Sequence, residues 1–352
     1  MKGEMNMSDV RFGIIGCGNI ARAHLPSLIY GKGITCTGLY DRIPEHAEKL
    51  NEEFGGEYKV FYTAEEMLNS PDIDAVIIAV PNYQHAPMFK LAAEHGKHIL
   101  CEKPLTMTVE MGEQMVAWAR QYNVKTQMGL CTRFEPAVDA MMDHIQAGNL
   151  GDIYFARTDV IRQRGTPSGW FGHKERSGGG PLIDIGVHYI DVCWYLMGKP
   201  KPVRVKALNY AAIANKYPKG VAIYTSYEKD DVYDVEDSSH GIITFENGAG
   251  LMYQASWAMN AEDVDDRVEI YGAKGGLVKN PAKLIREEVS GMTTASLAVS
   301  DEDCYKLQLE DFARVIRGEK ESRVPVEDGL QVQRILNALY RSAETGREVD
   351  VE

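Results

Sequence analysis

Residues 16–21 read Gly-Cys-Gly-Asn-Ile-Ala, a G-x-G-x-x-A turn, and no other segment restricts the fold as much. The apolar run 11–16 (RFGIIG) ahead of it reads as a buried strand, and 19–30 behind it as a helix. In that setting the first glycine permits a tight strand-to-helix turn. The second lets the backbone approach a pyrophosphate, and Ala21 lets the helix pack close to the sheet. The helix start offers unbonded N–H groups and a positive dipole end to phosphates. Alone, such a hexapeptide is often only a tight turn. Its place between strand and helix makes it a dinucleotide site lined by Gly16, Gly18, Asn19 and Ile20.

Asp41 follows Ala21 by 20 residues, at the end of a second strand, 34–40. A carboxylate there accepts hydrogen bonds from a ribose diol and repels a 2′-phosphate, which favours NAD over NADP. Arg42 beside it leaves NADP open, because a guanidinium holds a 2′-phosphate. The alternative for Asp41 is a loop residue that starts a turn.

Strand and helix patterns then alternate. Residues 75–80 (AVIIAV) read as a strand covered on both faces, 84–94 as a helix closed by Gly96, 98–101 as a strand, 109–121 as a helix and 125–130 as a strand. Such repeats imply a parallel sheet with right-handed crossovers. Beyond residue 130 the pattern changes. Runs at 152–164, 203–210, 239–245, 250–257 and 267–271 read as strands with few helices between them, and Asn247-Gly248 marks a hairpin. An open mixed or antiparallel sheet with one face covered fits them. One helix, 181–197, interrupts the strands, and helices at 302–317 and 328–342 close the chain. The stretch 214–231 reads as a long surface loop. At 352 residues the chain exceeds one hydrophobic core, so two domains are expected, 1–130 and 131–352, the second with terminal helices over about 302–345.

Two segments carry candidate chemistry. Glu102-Lys103-Pro104 ends a strand, and ligands of doubly wound sheets bind beyond the carboxyl ends of strands. A lysine there stabilises a developing alkoxide, whereas most lysines are merely solvated. The bond before Pro104 is a candidate cis peptide. Pro81 and Asn82 fall at the same sheet edge, with Asn82 a candidate helix cap. His85 either touches a nicotinamide ribose or is a helix-end histidine without such a role. The second segment is the helix after Gly178-Gly179-Gly180. It is apolar except for Asp184 and His188, four residues apart on one face, and Asp191 and Tyr195 beyond them. Histidine titrates near neutrality and can take the hydroxyl proton when hydride leaves a secondary alcohol. Asp184 can orient substrate hydroxyls or tune His188, or the pair can simply satisfy each other. A metal held by Asp184, His188 and Asp191 is allowed by spacing, but hydride transfer needs none and no metal is expected.

The formal net charge of −13 argues against nucleic acid and against an anionic membrane surface. No apolar run reaches the roughly 18 residues of a membrane span, and residues 1–10 lack the apolar region of a secretory signal. The six scattered cysteines form no C-x-x-C pair and read as reduced core thiols of a cytoplasmic protein.

Taken in order, Gly16–Ala21, Glu102-Lys103-Pro104, Gly178–His188 and the stretch 318–349 resemble the Gfo/Idh/MocA oxidoreductase family over nearly the whole chain. The resemblance implies an N-terminal Rossmann domain and a C-terminal α/β domain with a large open sheet. It implies Lys103, Asp184 and His188 as the catalytic group, with His188 the proton acceptor. Lys103 would come from one domain and the other two from the second, placing the reaction in the cleft between them. It implies NAD or NADP as cofactor, with Glu102 also near it, and substrates that are sugars, inositols or related polyols. It implies a homodimer or homotetramer formed through the C-terminal sheet. Arg133 resembles the position where the chain nears the substrate. In the loop 162–176, Arg164 and Trp170 are further substrate candidates: a tryptophan stacks on a sugar face, or fills a core. The basic residues of this loop either meet an anionic substrate or are salt-bridged surface charges. Two other functions share the fold: a glycoside hydrolase that oxidises its sugar transiently, and a non-enzymatic NAD-binding regulator.

Overall fold

The alternating strands of the N-terminal third assemble into one parallel sheet because each helix between them carries the chain back across a face. The computed structural model describes residues 9–213, 232–262 and 264–352, so the loop expected at 214–231 lies outside the described residues. Strands β1 (Val10–Ile15), β2 (Ile34–Tyr40), β3 (Lys59–Phe61), β4 (Ala75–Ile78), β5 (His98–Glu102) and β6 (Thr126–Gly129) form the order β3-β2-β1-β4-β5-β6. All neighbours are parallel. This is the doubly wound arrangement of a Rossmann domain, with its switch point between β1 and β4. Ile15 pairs with Ile78, and Ile78 with Cys101. The turns that follow β1, β4 and β5 therefore leave the sheet along one edge.

Helix α1 (Asn19–Tyr30) buries Ala21, His24, Leu25 and Leu28. After β2 come α2 (Pro44–Glu53) and α3 (Ala64–Leu68), neither expected from the sequence pattern. Next are α4 (His85–Glu94) and α5 (Val109–Gln121), the latter capped by the Thr108 hydroxyl accepting from Met111 N–H. Asn82 is not the helix cap expected: it opens a 3₁₀ turn, Asn82–Gln84, ahead of α4.

The chain divides into two units, residues up to Cys131 with Glu302–Leu330, and Thr132–Asp301 with Gln331–Glu352. The division at 130/131 drawn from sequence assigns 302–330 to the second domain, and the contacts assign them to the first. After α6 (Pro136–Gln146), the four-residue α7 (Lys174–Ser177) and α8 (Val187–Leu196), helix α9 (Cys304–Ile316) provides the reason. Its Leu309, Phe312 and Val315 enter the core around Phe12, Leu25 and Leu39, with the Phe12 and Phe312 rings 6.2 Å apart. Burying each phenylalanine contributes about 2 kcal/mol.

The second unit is built on nine strands: β7 (Ile153–Ile161), β8 (Pro202–Tyr210), β9 (Ser238–Phe245), β10 (Gly250–Ser256), β11 (Val264–Gly272), β12 (Gly275–Val278), β13 (Lys283–Glu288), β14 (Gly291–Ser296) and β15 (Val349–Asp350). Their order is β14-β13-β12-β11-β7-β10-β9-β8-β15. Among the described residues only β7 and β10 pair in parallel, so the sheet is mixed. Gly248 has φ +84° in the β9–β10 hairpin, as Asn247-Gly248 predicts. Helix α8 packs on β7, β10 and β11. The helix expected over 181–197 is in fact a π turn, Leu182–Gly186, leading into α8. Gly186 at the junction lies so close to β10 that a Cβ would meet the Ala255 methyl at 3.2 Å. All six cysteines are free thiols and five are buried; burial pushes the Cys36 thiol up to about 12, so it stays protonated.

Candidate active site

At the end of β1 the backbone alone decides the residue. Gly16 has φ +96°, and a Cβ there would lie 2.4 Å from the Ala79 carbonyl oxygen. Gly16 N–H donates to Tyr40 O at 2.8 Å, closing the turn. A Cβ on Gly18, by contrast, would meet nothing within 4 Å. Gly18 also supplies no side-chain cap to α1. The start of α1, with Asn19 exposed and Ile20 half-buried, thus offers its amides and positive dipole end to an anion, and a bare backbone lets the anion come close. A dinucleotide pyrophosphate fits this cradle.

Asp41 holds the turn from the other side. Its Oδ2 accepts from Cys17 N–H at 2.8 Å and its Oδ1 from Ile43 N–H at 2.9 Å, with His46 Nδ1 at 3.4 Å. The turn-starting role and the ribose role are compatible, because an ionised carboxylate has about four acceptor sites. Arg42 is exposed next to it.

Lys103 is half-buried, one residue past β5, and its bond to Pro104 is cis. Glu102 is buried, with its Oε1 2.6 Å from His24 Nε2, and its Oε2 accepts from Lys103 N–H at 3.3 Å. His85 is wholly buried. Its Nδ1 lies 2.7 Å from Pro104 O and its Nε2 3.0 Å from Val80 O. Burial pushes its pKa below the ordinary histidine value, against the pull of these carbonyls. Both ring nitrogens face backbone carbonyls rather than open space for a ribose, so His85 sits between the turns after β4 and β5, and its single N–H donates to one of them. Pro81 and buried Asn82 lie in the first of those turns.

In the second unit, Asp184 is buried and its Oδ2 accepts from the Trp257 indole N–H at 3.0 Å. Trp257 is fully buried. Phe171 meets it edge-on at 6.4 Å and stacks on half-buried Trp170 at 4.0 Å. Trp170 thus belongs to an aromatic cluster that ends on Asp184. His188 is half-buried one turn further along. The approach to this helix is fixed by Glu236, whose carboxylate accepts from Gly180 N–H at 2.9 Å, Leu182 N–H at 3.3 Å and the Tyr340 hydroxyl at 2.8 Å. Burial raises the Glu236 pKa, and these donors oppose the rise. Tyr340 lies on α10 (Val326–Thr345). A Cβ on Gly180 would sit 2.0 Å from Glu236 O, so this glycine serves close packing rather than flexibility.

Two substrate candidates have partners within the protein. Arg133 is fully buried and bonds Asp191 bidentately, Nε–Oδ2 at 2.8 Å and Nη2–Oδ1 at 2.6 Å. With Tyr195 stacked 4.8 Å away, Arg133 anchors α8. Arg164 is exposed, and its Nη2 donates to Asn260 Oδ1 at 2.8 Å. In the same loop Lys174 forms an ion pair with Glu344 at 2.9 Å. Trp257, Glu236, Tyr340 and His24 are not visible as site residues in the sequence. Their partners lie 73 and 56 residues away, for Trp257–Asp184 and Glu236–Gly180, and no spacing rule spans such distances.

Two family models match the chain: "oxidoreductase family, NAD-binding Rossmann fold" over residues 10–130, and "oxidoreductase family, C-terminal alpha/beta domain" over 143–351. Fold and family models together define an oxidoreductase built on an NAD-binding Rossmann domain. D-glucoside 3-dehydrogenase of Escherichia coli (strain K12) is 31% identical over 356 residues, covering 100% of both chains. The scyllo-inositol 2-dehydrogenase (NAD(+)) of Bacillus subtilis (strain 168) is 28% identical, covering 88% of this chain and 87% of that one. The structure of levoglucosan dehydrogenase with NADH and levoglucosan matches with a TM-score of 0.82 at 25% identity, covering 98% of this chain and 99% of that one. The chain belongs to the Gfo/Idh/MocA family. Among the described residues no helix is long and apolar enough to cross a membrane.

Proposed function

We propose that this chain oxidises a secondary hydroxyl of a sugar, inositol or related polyol, reversibly, with NAD as its cofactor. The observation that carries the reading is Asp184: a buried carboxylate set by the Trp257 indole, one turn before His188, in an oxidoreductase whose relatives are named as glucoside and inositol dehydrogenases. When bound, the nicotinamide supplies the hydride acceptor. His188 takes the hydroxyl proton as the C–H bond breaks. The Lys103 ammonium stabilises the alkoxide that develops on that oxygen. Asp184 accepts a hydrogen bond from a neighbouring hydroxyl and so selects which carbinol is presented. Asp41 supports NAD over NADP, because its carboxylate keeps negative charge where a 2′-phosphate would lie.

The test is a panel of inositols, hexoses, uronic acids and glycosides with NAD and with NADP, followed by NADH absorbance. One or more polyols should give net NADH, and Lys103→Met and His188→Ala should each lower kcat by about 100-fold or more. Full turnover in both variants would sink the reading. Release of an aglycone without net NADH would indicate the transient-oxidation hydrolase instead.

The open face of the nine-stranded sheet supports self-association. Leu208, Tyr210 and Ile242 lie on neighbouring strands of that face and are each 40% exposed or more. A dimer or tetramer is expected, and a sedimentation mass of one chain would exclude it.

A further inference from the structure

The turn that carries Lys103 is gripped from two sides by histidines that no ligand can reach. His24, on α1, and His85, on α4, are both wholly buried. His24 Nε2 is 2.6 Å from Glu102 Oε1, while its Nδ1 has no hydrogen-bond partner among the described residues. In the tautomer with its N–H at Nε2, His24 donates to the Glu102 carboxylate and no buried donor is left unmet. The Tyr305 ring meets the His24 ring edge-on at 5.0 Å and holds its plane. Glu102 passes the restraint on, because its Oε2 accepts from the N–H of Lys103 itself at 3.3 Å. From the other side, His85 Nδ1 lies 2.7 Å from the carbonyl oxygen of Pro104.

Two imidazoles and a carboxylate in the interior are a poor choice for stability alone, since apolar side chains of similar size avoid the desolvation cost. Buried polar networks give one geometry instead of several. Here the network terminates on the backbone immediately before and immediately after the Lys103 side chain. We propose that His24 and His85 are positioning residues that set the place of the Lys103 ammonium through its flanking backbone. The proposal rests on Lys103 acting in the reaction proposed above. A displacement of about 1 Å at a reacting group costs on the order of 100-fold in rate.

The test uses the full-length protein. His85→Asn keeps a donor near the Nδ1 position, and His24→Gln keeps one near Nε2. His85→Leu and His24→Leu keep neither. With NAD and the polyol that turns over in the panel, the leucine variants should lose about 10- to 100-fold in kcat. Their KM for NAD should stay within about threefold, and the amide variants should recover most of the loss. On a Lys103→Met background the leucine substitutions should cost less than about twofold more. Independently of turnover, the acetylation rate of Lys103 by acetic anhydride, read by peptide mass spectrometry on the cofactor-free protein, should change several-fold in the leucine variants and little in the amide variants. Equal losses with and without Lys103, or folded leucine variants with unchanged kcat and unchanged labelling, would overturn the proposal. If Lys103→Met itself keeps full turnover, the reading of Lys103 as an active group fails. The labelling then decides for the histidines alone: changed labelling supports them as positioning residues, unchanged labelling overturns it. Should His24→Leu not fold, the His85 series alone separates these outcomes.

Discussion

Gly16 is dictated by its own backbone, with φ +96° and an Ala79 carbonyl where a Cβ would stand. Asp184 is dictated by residues far away in the chain: Trp257 orients its carboxylate, and Glu236 and Tyr340 secure the turn that leads to it. The first kind of site is written in the backbone, in its own φ and in the carbonyl of a neighbouring strand's end, and leaves little room for variation. The second kind is assembled from packing, and its support can change while its chemistry stays. In one chain the proposed cofactor cradle is thus constrained by backbone conformation, and the proposed substrate-side group by neighbours.

The sharpest way to break this contrast is Gly16→Ala. Strain and backbone overlap should cost on the order of 3 kcal/mol, seen as a melting-temperature drop and loss of NADH binding by fluorescence titration. Gly18→Ala, facing open space, should melt like the parent and lose only NADH affinity. Equal stability of the two variants would remove the distinction. Next in size is Trp257→Phe, which keeps an aromatic ring in place and removes the donor to Asp184. A lost hydrogen bond to a buried carboxylate costs about 1.5–3 kcal/mol. We expect kcat to fall roughly 10- to 100-fold at unchanged NADH affinity, and an unchanged kcat would detach Trp257 from the chemistry. The smallest effect is on pH dependence. Burial depresses the folded pKa of His85 below its ordinary 6.5. Below pH 6.5 the unfolded chain binds a proton that the folded ring refuses, so stability falls as pH drops from 6.5 towards the folded pKa. His85→Asn should flatten that part of the stability–pH curve measured by urea denaturation, and an unchanged slope would contradict the depressed value.

The fold is largely legible where hydrophobic period and punctuation agree. The strands at 10–15 and 75–78 and the helix at 19–30 follow from apolar patterns ended by glycine or proline, and 34–40 and 109–121 follow from their hydrophobic period. The highly charged α2 escapes the pattern because only Ala47 and Leu50 are buried in it, and β13 and β14 because the sheet edge exposes most of their side chains. The π turn at 182–186 is not legible, since its side-chain pattern resembles an ordinary helix. Of the site, Lys103 falls one residue past β5, Asp184 in the π turn and His188 at the start of α8. Arg133 reads as nearing substrate through the family resemblance alone; its partner, Asp191, lies 58 positions on. Buried pairs of that kind leave no mark in a linear pattern.

The segment 302–330 also matters to anyone who recombines such chains. Phe312 and its neighbours on α9 complete the core around β1 although they lie far along the chain. The exchangeable piece is therefore not the first 131 residues. A chimaera that takes its nucleotide-binding half from a relative must take two stretches of gene, and a crossover placed only near codon 131 would pair each β1 with a stranger's helix.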